Sequence, residues 1–173
     1  MKHAPAVRRG VTMMEVALGT LLVGGVLAAT LNVVGPTVRS TKVAGDELLA
    51  SALAGDLIDE IAAAAYEEPG AGGSIGREDG ENNGLRDRFD DVDDYHGWAG
   101  APTTIAGDPV PGLGAGWLCS VEVVWVTPGD PGVGSAAETG VKRVRVRVSR
   151  NGVSLAERSI LRTRSFDLSR ADP

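Results

Sequence analysis

With Cys119 as its single cysteine among 173 residues, the chain cannot close an internal disulfide, so packing alone must hold its fold. Histidine is almost as scarce. Of His3 and His96, only the second lies beyond the first dozen residues, which leaves little material for a zinc or haem site. A Ser-His-Asp triad would have to be built on His96 alone, and no nucleophile elbow, Walker loop or C-x-x-C pair is present. The expectation is therefore a protein that is not an enzyme. Aromatic residues make up 4% of the chain against 24 glycines, which points to a small core with much loop around it. Basic residues are outnumbered, 17 to 23, for a formal net charge of −6. A chain of that sign repels phosphate, so no nucleic acid is expected as a partner, although Arg143, Arg145 and Arg147 form a local basic stripe. Internal repeats are absent.

What the chain does have is one long hydrophobic run. From Arg8 to Val34 it reads RRGVTMMEVALGTLLVGGVLAATLNVV, and after Glu15 come roughly nineteen residues without a charge, about 28 Å of helix. That length crosses a bilayer. It exceeds the apolar core of an ordinary secretory signal, and no A-x-A type cleavage site follows, so the segment is expected to stay on the protein. Lys2, Arg8 and Arg9 precede it and hold that end in the cytoplasm, sending everything after Val34 to the far side.

Glu15 is costly at the edge of such a helix and needs a partner. The pattern Gly10, Val11, Thr12, Met13, Met14, Glu15 followed by the apolar run resembles the signal of type IV pilins and type II secretion pseudopilins. The resemblance implies that prepilin peptidase cuts between Gly10 and Val11 and methylates the new amino terminus. It also implies that Glu15, then the fifth residue, pairs with the amino terminus of a neighbouring subunit as helices pack into a filament. Two opposite charges in a low dielectric attract strongly and relieve each other's desolvation. Where the family usually has Phe or Met after the cut, this chain has Val11. Loss of Lys2, Arg8 and Arg9 takes the net charge from −6 to −9. The partners so implied are prepilin peptidase, other pilin or pseudopilin subunits met through the N-terminal helix, and the inner membrane. The chain is then single-pass, with its C-terminal domain in the periplasm and a surface or periplasmic filament as its destination. The alternative is an uncleaved signal anchor carrying an adhesive or ligand-binding module that does not polymerise.

With the leader over 1–10 and the assembly role of the next helix implied by the resemblance, the chain is expected to form an α+β, pilin-like fold: a membrane and assembly helix over 11–35, an amphipathic helix over 36–68, a Gly/Pro/Asp-rich loop over 69–116, and an antiparallel β meander over 117–173. Gly35-Pro36 reads as a bend rather than an end. Leu49, Leu53, Leu57 and Ile61 then recur every four residues, with Leu48, Ala52 and Ile58 beside them, and Pro69-Gly70 closes the helix. This stripe is expected to pack on a sheet. In the loop, Phe89, Val92, Tyr95 and Trp98 are the available apolar anchors. Further on, Trp117, Cys119, Val121, Val123 and Trp125 share one parity, and Val144, Val146 and Val148 alternate with the arginines, which face solvent. Asn151-Gly152 signals a two-residue hairpin turn into a last strand, Val153 to Arg162.

Two acidic patches in the loop could meet a hard cation. Asp79, Glu81, Asn83, Asp87 and Asp90, with the Leu85 carbonyl, follow an EF-hand-type spacing for Ca²⁺. Glu81 stands there where Asp or Asn is usual, Asp90 is short for its position, and Arg86 and Arg88 add positive charge. The alternative is an acidic, glycine-rich surface loop that holds no metal. Asp90, Asp91, Asp93 and Asp94 repel one another unless a cation or an arginine intervenes. The stretch from Arg88 to Trp98, RFDDVDDYHGW, is also similar to a segment of minor pilins of the mannose-sensitive haemagglutinin type, the MshD-like group.

Overall fold

The computed structural model describes residues 10–68, 74–78, 81 and 84–165. Its contacts divide into two compact units, one up to Ala44 and one from Gly45. A helix, α1 (Met13–Ala63), begins in the first and ends in the second, running through Pro36 without interruption.

In the first unit every described residue is exposed, including Leu21, Leu22, Val26, Leu31 and Val34. Threonine hydroxyls of this stretch are satisfied within the helix. The hydroxyls of Thr20, Thr30 and Thr37 donate to the carbonyls of Val16, Val26 and Val33, each four residues back, at 2.7–2.8 Å. A helix whose own backbone accepts its hydroxyls can sit in an apolar medium. Among the described residues this is the one helix long and apolar enough to cross a membrane.

The second unit lays the rest of α1 on an antiparallel sheet. The sheet order is β1 (Ala99–Gly100), β2 (Trp117–Thr127), β4 (Val141–Arg150), β5 (Val153–Thr163), and β3 (Asp130–Gly134) folds back on the end of β2. On the inner face Cys119, Val121 and Val123 stand opposite Val148, Val146 and Val144, and all six are buried. Against them pack Ala50, Leu53, Ala54, Leu57, Ile58 and Ile61 of α1. The outer face carries the arginines: Arg145 pairs with Glu122 at 3.1 Å, and Arg147 with Glu157 at 2.8 Å, each across a strand boundary. Asn151 (φ 51°) and Gly152 (φ 79°) both adopt left-handed backbone, the type I′ turn that matches the twist of the strands it joins.

Three features differ from the sequence expectation. Leu48, Leu49 and Ala52 are exposed, and Ala50 and Ala54 take their places in the core. The helix stops at Ala63, short of Pro69, because the chain is drawn aside. The Ala65 N–H donates to the Asp90 carbonyl at 3.1 Å, and the Ala65 carbonyl accepts from Val92 at 3.0 Å. Arg162 on β5 then gives its guanidinium to the freed carbonyls of Ala62 and Ala64. Finally, the stretch read as loop contains the short strand β1, a 3₁₀ turn over Asp93–Tyr95 and a bridge between Thr103 and Pro109. Phe89, Val92, Tyr95 and Trp98 are all buried in the common core, which is what orders it.

Candidate functional site

At the start of α1, Gly10 and Val11 are exposed and Thr12 caps the helix. The Thr12 hydroxyl accepts the Glu15 N–H at 3.3 Å, while Glu15 Oε2 accepts the Thr12 N–H at 3.0 Å and the Thr12 hydroxyl at 3.1 Å. This is the reciprocal capping box of a T-x-x-E sequence, which satisfies two of the donors that a helix start leaves open. Glu15 therefore has partners in its own chain. The sequence reading saw its charge and missed its cap, although the spacing of Thr12 and Glu15 was the signal for it.

The acidic stretch is described only in part. Asp79 and Asn83 lie outside the described residues. Asp87 and Asp90 are exposed, and among the described residues Glu78, Glu81 and Asp94 gather, each with a carboxylate oxygen within 4.8 Å of the others. Glu81 Oε2 also accepts the Glu78 N–H at 3.0 Å. Asp94 is buried completely, and burial raises its carboxyl well above the usual range, with Glu81 and Asp91 adding to the shift against the N–H groups of Asp91 and Asp90.

The aspartates after Phe89 brace the chain locally. Asp94 Oδ2 accepts the N–H groups of Asp90 (3.0 Å) and Asp91 (3.2 Å), and Asp91 Oδ1 accepts those of Asp93 (2.6 Å) and Asp94 (3.3 Å). Asp93 Oδ2 meets Lys142 Nζ at 2.6 Å, with Lys142 also donating to the Tyr66 carbonyl and lying 4.0 Å from the Tyr66 ring. Lys142 is 1% exposed, a buried charge on the inward parity of β4 that the alternation with Val144 could have announced. Arg86, read from the sequence as an obstacle to cation binding, is instead the clamp between loop and helix. It forms a two-point pair with Glu60 at 2.7 and 3.1 Å, donates to the Thr103 carbonyl at 3.0 Å and covers the Trp98 ring at 4.5 Å. Tyr95 adds its hydroxyl to Glu60 at 3.0 Å.

His96 Nδ1 accepts the Val123 N–H at 3.2 Å, so the histidine ties the loop to β2. Cys119 is buried, and that burial pushes its thiol up to about 11, far from a reactive thiolate. No known family, curated protein or solved structure matches the chain.

Proposed function

We propose that this chain is a filament subunit of the minor pilin or pseudopilin kind, trimmed after Gly10 and incorporated through its N-terminal helix. The observation that supports the reading most is the first half of α1. It is apolar, exposed on every side and begins three residues after Gly10, and Glu15 is its one acid before Asp46. Such a surface calls for lipid before assembly and for other helices after it. Cleavage frees an amine at Val11, four residues from Glu15, and the pairing of that amine with a neighbour's carboxylate gives a reason for an acid at this position that a plain anchor lacks. The segment Arg88 to Trp98, which resembles one in the MshD-like group, places Phe89, Val92, Tyr95 and Trp98 in the core and His96 against β2.

The test is expression with and without a prepilin peptidase. A mass loss equal to Met1–Gly10 together with one added methyl group supports assembly, whereas an intact leader supports the tethered binding module. Glu15 takes part in the cap as well, so its role in assembly must be separated from helix capping. Glu15→Ala and Thr12→Ala both break the capping box, but only the first removes the charge. We expect both variants to be cut, and only Glu15→Ala to be lost from filaments. Equal loss in the two variants would assign the defect to the helix start.

A further inference from the structure

The geometry points to a site for a hard divalent cation formed by Glu78, Glu81 and Asp94, different from the linear spacing of Asp79 to Asp90. Three carboxylate oxygens lie within 4.8 Å of one another, each on a separate side chain. Unbridged, such an arrangement is repulsive. An independent feature concerns Asp94. It is wholly buried; its Oδ2 is taken by the N–H groups of Asp90 and Asp91, and its Oδ1 has no hydrogen-bond partner. A buried carboxylate oxygen without a donor is costly, and a cation supplies what it lacks.

The charge of Arg77 favours the ionised form of Glu81, yet its Nε–H is directed at backbone. Arg77 donates its Nε–H to the Asp94 carbonyl at 3.0 Å and lies over the Phe89 ring at 5.2 Å. Oxygen-only ligation by three carboxylates, two of them half-buried and open to water for the remaining positions, suits Ca²⁺ better than the more exacting Mg²⁺. Bound there, the ion would join the segment of Glu78 and Glu81 to the 3₁₀ turn that carries Asp94. None of this depends on the filament reading, since binding is measured on the unassembled chain.

The experiment is calorimetric titration of the full chain in detergent micelles with CaCl₂, and separately with MgCl₂, alongside thermal melts. The expected result is one Ca²⁺ per chain, with Kd on the order of 10⁻⁴ M, weaker Mg²⁺ binding and a Tm that rises with Ca²⁺. Asp94→Asn would also disturb two backbone hydrogen bonds, so the informative variants are Glu78→Gln and Glu81→Gln. Each should weaken binding at least about tenfold. Asp87→Asn, on the linear spacing but outside the cluster, should leave it unchanged. Absence of both heat and Tm shift at millimolar Ca²⁺ overturns the proposal and leaves three carboxyls that share protons. Loss of binding in Asp87→Asn with retention in Glu81→Gln overturns it equally, by moving the ion to the linear site.

Discussion

Glu60 receives two parts of the loop at once, the guanidinium of Arg86 and the hydroxyl of Tyr95. Arg86 is 4% exposed, so it cannot turn to water if Glu60 is neutralised. Glu60→Gln should therefore cost about 3 kcal/mol in urea unfolding, the scale for stranding one member of a buried pair. Pairing it with Arg86→Met should return much of that loss, because an apolar side chain against Trp98 and Val110 no longer needs a counter-charge. A double variant as unstable as Glu60→Gln would show that packing of Arg86, and not its charge, is what matters. Glu138 behaves in the opposite sense to the buried aspartates. Burial pushes its carboxyl up, but the Gly140 N–H, the Tyr66 hydroxyl and the charges of Arg164 and Lys142 together outweigh it and hold its pKa below the ordinary 4.5. A depressed folded-state pKa means that the unfolded chain binds the proton more readily. The stabilisation by Glu138 is thus complete above the unfolded value and fades as pH falls through the folded one. Wild type should exceed Glu138→Gln in stability at pH 7, and the two denaturation curves should converge below pH 4.

Among the elements, the helix shows most clearly what local pattern can and cannot specify. Of the residues that repeat every four positions, Leu53, Leu57 and Ile61 are buried as periodicity predicts, while Leu49, at the start of the stripe, is exposed. The same holds for Val144, Val146 and Val148, and for the Asn151-Gly152 turn, because each is a property of a few adjacent residues. Flanking positions are decided differently. Ala50 and Ala54 lie at the sheet while Leu48 faces out, 74% exposed, and alanine offers no hydropathy contrast strong enough to show this in advance. The end of the helix at Ala63 and the fold of the loop were illegible for a related reason: Ala65 pairs with Asp91, and Arg162 reaches the last turn from a hundred residues away. Of the candidate site, the cap at Thr12 and Glu15 was readable as a motif, whereas the meeting of Glu78 and Glu81 with Asp94 needed the fold. The register of the stripe can be checked by a pair of substitutions. Ile61→Ala, at 0% exposure, should lose about 2–5 kcal/mol by leaving a cavity, while Leu48→Ala should change stability by less than about 0.5 kcal/mol. If Leu48→Ala proved the more damaging, the helix would be rotated from the arrangement described.

For the molecule as a whole, the decisive fact is that the core is made entirely by residues from Ala50 onward. Among the described residues none before Gly45 is buried, so a chain that lacks them keeps every residue of that core. Asp46, bonded to Arg150 at 2.6 Å, also stands near the new helix start, where an acid opposes the exposed N–H dipoles. A chain beginning at Lys42 should accordingly be soluble without detergent. It should also unfold cooperatively in urea with a stability within about 0.5 kcal/mol of the full chain. Trp98 and Trp117, 7% and 6% exposed, report on the core by fluorescence. The full chain in micelles is the reference. A marked loss of stability on truncation would mean that the apolar half of the helix supports the domain directly. An unchanged midpoint would mean that the domain is a self-sufficient cargo, and that the exposed apolar half is free to be selected for its contacts with lipid and with other chains.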